Sequence, residues 1–148
     1  MTRYLLDTNI LTVLEDQEKP GYSKVVEQIK SLAENDQVMI SVLSVFELQH
    51  GIAKSPPSIS SKLKSALESL LHHFPVVTLS VDIAAHYGNL KAIYEYHYGI
   101  KKPESQRHTI DFILAATALE KDAVLVSADG IFSKILDANP LLKLENWT

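Results

Sequence analysis

Apolar residues recur along this chain with two spacings. Short apolar runs at Arg3–Asp7 (RYLLD), Val38–Val42 (VMISV), Val76–Leu79, Ala123–Ser127 (AVLVS) and Leu142–Glu145 read as strands. Stretches with helical spacing lie between them: Asn9–Glu18, Tyr22–Asn35, Val45–Lys54, Lys62–Phe74, Asp82–Tyr98, Thr109–Glu120 and Ile131–Leu136. In the second of these, Val25, Val26, Ile29, Leu32 and Ala33 share one face. In the fifth, the apolar stripe is Ile83, Tyr87, Leu90, Tyr94 and Tyr98. Thr109–Glu120 is apolar on several sides and is expected to be buried. Pro56, Pro57 and the serines after them read as a break, and Gly99–His108 as a polar, partly basic loop.

Strands that alternate with helices imply βαβ units and a parallel sheet. The expected fold is therefore α/β: a three-layer open parallel sheet of about five strands with helices on both faces. Residues 1–148 are expected to form one domain, because 148 residues suffice for one full core and not for two. With 46% hydrophobic residues and a net charge of −4, intrinsic disorder is excluded. The chain has no cysteine, so neither a disulfide framework nor a thiolate metal site can form. No apolar run approaches the ~18–20 residues of a membrane helix, and no leader segment is visible. A cytoplasmic protein without membrane association is expected.

In open α/β sheets, ligands bind outside the carboxyl ends of the strands, where helices begin. Four acids occupy such positions. Asp7 closes the first strand, Glu47 falls in the first turn of the helix after the second, Asp111 opens the Thr109 helix, and Asp129 follows the fourth strand by way of Ser127. Each also has a structural reading. Ser44 and Glu47 have capping-box spacing, Asp111 suits a helix dipole, Asp129 precedes Gly130 in a turn, and Asp7 can cap the helix after it. Taken together, the structural readings weaken. Apolar neighbours such as Leu5, Leu6, Phe46, Leu48, Ile110 and Phe112 imply restricted solvation. A helix dipole returns only about 0.3–1 kcal/mol to each acid. Four carboxylates sharing a cleft would repel by more than that, and a hard cation bound by oxygen, Mg²⁺ or Mn²⁺, is the usual compensation. Whether the four converge depends on strand order.

Four blocks carry a further likeness: DTNIL at 7–11, S-V-x-x-V-F-E-L-x-x-G-I-x-K-S at 41–55, T-I-D-F-I-L-A-A-T-A-L at 109–119, and V-L-V-S-A-D-G-I-F at 124–132. In this order they resemble the PIN-domain proteins. The small size and the terminal L-E-N-W-T are similar to the VapC toxins of toxin–antitoxin pairs. The resemblance implies a five-stranded parallel sheet and a Mg²⁺- or Mn²⁺-dependent ribonuclease. It places the family's acidic quartet on Asp7, Glu47, Asp111 and Asp129. Asp7 and Asp111 would hold metal, Asp129 directly or through water, and Glu47 would be a ligand or a base for the attacking water. Small polar residues near that water fall on Thr8 or Asn9 and on Ser127. A homodimer and an antitoxin partner that inserts into the groove are also implied. A housekeeping RNA-processing nuclease of the same fold and a catalytically silent binding module stay open beside it.

An acidic chain is an unusual partner for RNA. With the four site acids set aside, however, acids and bases are equal in number. Phosphate contacts are expected from Lys54, Lys101, Lys102 and Arg107. Tyr94 and Tyr98 are expected in the core, with Tyr96 free to stack on a base. The six histidines receive no catalytic role, and Trp147 is expected to anchor the C-terminus.

Overall fold

Leu5 and Leu6 face opposite sides of the first strand, and this period of two organises both halves of the core. In the computed structural model, which describes residues 1–99 and 106–148, β1 (Arg3–Leu6) lies at the centre of a five-stranded sheet. Its neighbours are β2 (Gln37–Ser41) and β4 (Ala123–Val126), and β3 (Val76–Val77) and β5 (Lys143–Glu145) form the edges, giving the order β3-β2-β1-β4-β5. All four pairings are parallel, and Leu5 aligns with Met39 and Leu125 while Leu6 aligns with Ile40 and Val126.

That register sorts the core. Leu5, Met39 and Leu125 pack with α5 (Val81–Tyr98), α6 (Thr109–Glu120) and α7 (Gly130–Ala138) through Leu90, Tyr94, Phe112, Phe132 and Ile135. Leu6, Ile40 and Val126 pack on the opposite side with α1 (Thr8–Leu14), α2 (Tyr22–Ser31), α3 (Val42–Ala53) and α4 (Pro57–His73). Helices cover both faces, so the expected three-layer α/β architecture is the observed one. No helix among the described residues is long and apolar enough to cross a membrane.

The boundaries differ from the pattern where capping decides them. Pro57 does not break the chain; it opens α4 at its first position, where a missing N–H is harmless and the fixed φ suits a helix. Ser60 and Ser61 return their hydroxyls to the Pro57 carbonyl. The helix after β2 begins at Val42, three residues before the apolar spacing suggested, because Ser41 Oγ accepts from the Leu43 N–H and caps it directly at the strand end. Glu47 consequently lies in the second turn of α3, not the first, and Ser44 is not its capping partner. Helix α1 ends at Leu14, well short of Glu18.

Tyr94 is buried, whereas Tyr98 is 38% exposed, resting on the Tyr94 ring at 4.8 Å between centroids and donating to the Lys134 carbonyl. The expected core position for Tyr98 is thus corrected: the last turn of α5 projects past the core. Tyr96 is almost wholly exposed. Trp147 is 6% exposed, its ring 5.1 Å from that of Tyr4, and its Nε1 donates to Glu145 at 2.8 Å. It closes the layer of α1–α4 from the far end of the chain. Gly21, at φ +88°, opens α2 with room that Thr148 fills at 3.3 Å from where a Cβ would stand. Trp147→Ala should therefore cost about 3 kcal/mol, as for other buried large-to-small aromatic changes. Urea denaturation measures it: a shift in midpoint at constant slope is expected, and a loss below about 1 kcal/mol would show that the C-terminal segment is not part of the core.

Candidate active site

Strands β1 and β4 are adjacent although the chain leaves them toward opposite sides of the sheet, which makes their carboxyl ends a topological switch point. The backbone joins there, with the Asp7 N–H bonded to the Val126 carbonyl at 2.9 Å. Asp7 and Ser127, the residues that follow the two strands, therefore meet. Ser127 Oγ donates to Asp7 Oδ2 at 2.7 Å, while Asp7 Oδ1 accepts from the Thr8 N–H at 2.7 Å and caps α1.

Asp7 is 4% exposed. Burial pushes its pKa up to about 6; the bonds from Ser127 and Thr8 oppose the rise, and repulsion from Asp111 and Asp129 adds to it. Asp111 stands in the first turn of α6. Burial raises its pKa as well, against the His108 contact, with Asp129 and Glu47 repelling it. Asp111 and Asp129 thus lie within electrostatic reach of Asp7, and Asp129 and Glu47 within reach of Asp111, which the amino-acid order alone did not settle.

Local hydrogen bonds hold each acid. Asp129 Oδ1 caps α7 at the Ile131 N–H, 3.1 Å, and the Asp129 N–H donates to Ser127 Oγ at 3.0 Å. Glu47 Oε1 accepts from Thr8 Oγ1 at 2.6 Å, and Thr8 Oγ1 lies 2.8 Å from Ser44 Oγ. His108 Nδ1 is 3.1 Å from Asp111 Oδ2. Asp7 and Asp129 each cap a helix, as their structural readings expect, and Ser127 Oγ is bonded to both.

Among the described residues, no three His, Cys, Asp or Glu side chains stand close enough together to hold one ion in this arrangement. The donor chemistry nevertheless fits a hard divalent cation. It is all carboxylate and hydroxyl oxygen, partly desolvated, with an excess of negative charge that a cation would relieve.

Of the candidate residues, Asp7, Thr8, Glu47, Ser127 and Asp129 are joined by hydrogen bonds, and Asp111 lies within electrostatic reach of Asp7. Asn9 is exposed in the first turn of α1. Arg107 is exposed in a short 3₁₀ turn (Gln106–His108) just ahead of α6. Lys54 caps the C-terminus of α3, roughly 10 Å along the helix axis from Glu47 at 1.5 Å per residue, so the structure does not bring it to the acids. Lys101 and Lys102 lie outside the described residues. Two neighbours of the acids were not singled out by the sequence. His108 stands at i,i+3 spacing to Asp111, a relation present in the sequence. Ser44 was read only as a cap. The 530 Å³ groove between His86, Asn89, Ile93 and Lys143 opens near Ala123, at the other end of β4 from Ser127.

The match to the PIN domain extends over residues 4–137, and the chain belongs to that family. Among named relatives, it is 28% identical over 149 aligned positions to Ribonuclease VapC2 of Rickettsia felis, covering 97% of each chain. Two solved structures are similar over nearly their whole length. VapBC2 from Rickettsia felis, bound to a DNA fragment from its promoter, superimposes with a TM-score of 0.79 at 26% identity, over 99% of this chain and 100% of that one. VapBC-1 from nontypeable Haemophilus influenzae gives 0.75 at 26% identity, over 99% and 98%.

The sign of the Asp7 effect is opposite to that of most carboxylates. Its folded pKa lies above the unfolded value, so the native state binds more protons between about pH 4 and pH 6. The metal-free protein should lose stability as pH rises through that window, by about 3 kcal/mol if Asp7 acts alone. Asn caps a helix as Asp does, without the charge. Asp7→Asn should therefore raise Tm in chelator at pH 7, converge with wild type near pH 4, and weaken Mn²⁺ binding. If the variant melts lower at pH 7 and binds Mn²⁺ undiminished, Asp7 is a cap and nothing more.

Proposed function

We propose that this chain is a PIN-domain endoribonuclease that hydrolyses RNA phosphodiester bonds with Mg²⁺ or Mn²⁺, and that it acts as the toxin of a toxin–antitoxin pair. What supports this reading is that Asp7 and Asp129 meet at Ser127 beside the switch point of a parallel sheet, with Glu47 joined through Thr8 and Asp111 within electrostatic reach. The name of the Rickettsia ribonuclease and the VapBC complexes among its structural neighbours support the activity and the antitoxin. The reading includes a homodimer, a cytoplasmic home and a single domain over the whole chain.

Asp7, Asp111 and Asp129 would hold the cation. When bound, it supplies Lewis-acid relief for charge that builds on the phosphate and the leaving oxygen. The chain's own groups do the remainder. Ser127 fixes the Asp7 carboxylate from one side and the Thr8 N–H from the other, so its orientation is set before substrate arrives. Glu47 sits on the exposed face of α3 beside this group, held by Thr8, where its carboxylate can orient a water and accept its proton. His108 steadies Asp111. Arg107, at the same end of the fold, offers a guanidinium to the RNA backbone; Lys101 and Lys102, close to it in sequence, are assigned the same task.

The test is cleavage of a panel of structured and single-stranded RNAs with Mn²⁺, Mg²⁺ or EDTA, beside identically purified Asp7→Asn and Asp111→Asn. Cutting that needs metal and falls by about 100-fold or more in both variants is expected, since each removes a group from the reacting centre. Cutting that persists in EDTA or in both variants would overturn the reading. Arg107→Gln should weaken RNA binding across sequences and reduce the slope of log K against log salt by about 1. An unchanged slope takes Arg107 off the phosphate path.

A further inference from the structure

We propose, on the nuclease reading above, that Ser44 is a positioning residue that holds Glu47 in place through Thr8. Ser44, Leu48 and Ile52 recur every fourth residue and form the face of α3 turned into the core, and all three are buried. Two of them are apolar, as that face requires. The third is a hydroxyl with no exposed surface at all. A buried hydroxyl is costly unless it is bonded, and a helical serine often bonds the carbonyl one turn back. Ser44 meets Thr8 Oγ1 on a different helix instead, at 2.8 Å.

The direction of the bonds follows from counting protons. Thr8 has one hydroxyl hydrogen, and it points to Glu47 Oε1 at 2.6 Å, because a carboxylate oxygen accepts and cannot donate. The Ser44 hydrogen therefore points to Thr8, and the chain runs Ser44 to Thr8 to Glu47. Thr8 also gives its backbone N–H to Asp7 Oδ1 at 2.7 Å. One residue thus fixes two carboxylates, and Ser44 fixes the rotamer of that residue from inside the core. Glu47 is an exposed, flexible side chain that would otherwise sample several rotamers. An alanine would fill nearly the same volume at position 44; what the serine adds is the aim of the Thr8 hydroxyl.

Two measurements decide it. The first is a kinetic cycle of wild type, Ser44→Ala, Thr8→Val and the double variant on a cleaved RNA. The expected result is a kcat about tenfold lower in Ser44→Ala with KM unchanged, a displacement effect on a positioned group. In the Thr8→Val background, Ser44→Ala should then change nothing further. The second is a crystal structure of Ser44→Ala beside wild type, in which the Glu47 carboxylate should leave Thr8. Thr8→Val breaks the same chain one link later and takes the place of Ser44→Ala in the crystal comparison if that variant does not fold. Equal losses from Ser44→Ala in both backgrounds, as a purely structural role would give, or a Glu47 that stays put in the crystal, would overturn the proposal. A wild-type protein that cuts no RNA would count against the nuclease reading, and the crystal comparison would still decide where Glu47 goes.

Discussion

A carboxylate buried at the end of the central strand is the constraint on which the rest of this structure turns. Moving the Asp7 charge out of water is unfavourable, and two short hydrogen bonds offset only part of it. The fold keeps the residue because the same side chain starts α1 and joins β1 to the loop after β4. Neutral substitutes could do those structural tasks. The charge is what a bound cation would neutralise on the proposed reading.

The sheet order makes this economical. Because β1 is central, the residue after it has strand ends on both sides, Ser41 closing β2 and Ser127 following β4. Serine follows or ends each neighbouring strand, and each hydroxyl bonds what faces it. Ser41 caps α3, and Ser127 bonds Asp7. The acids arrive from four separate segments, yet each is held by a bond formed within a few residues of a helix start or by its immediate neighbour Thr8. Rigid local geometry at several strand ends is what lets so small a chain present four carboxylates together.

Much of this was legible in the amino-acid order. The strands declared themselves by branched apolar runs, and the face-sorting of Leu5 from Leu6 follows from the strand period alone. The four acids could be found because they sit at strand ends or within the first two turns of helices. What could not be read was convergence, which depends on β4 joining the sheet next to β1 rather than at its edge. Helix starts differ from the apolar spacing where other residues set them: the Ser41 hydroxyl caps α3 three residues early, and Pro57 takes the first position of α4. Ser44 was missed for a related reason. Its spacing to Glu47 imitates a capping box, and only the position of Thr8 reveals its actual partner. His108 shows the reverse, since its spacing was plain but carried no meaning until Asp111 was known to face the cluster.

The edges of the sheet have a consequence of their own. β3 contributes two residues and β5 three, each paired on one side only. Strands this short offer almost no ladder for a foreign strand to join, which is how natural sheets avoid unwanted extension. Lengthening the sheet is therefore an unfavourable way to recruit a partner. Side chains on the helices and loops are left as the larger surface for association, where a single substitution can retune the chemistry while the sheet beneath remains untouched.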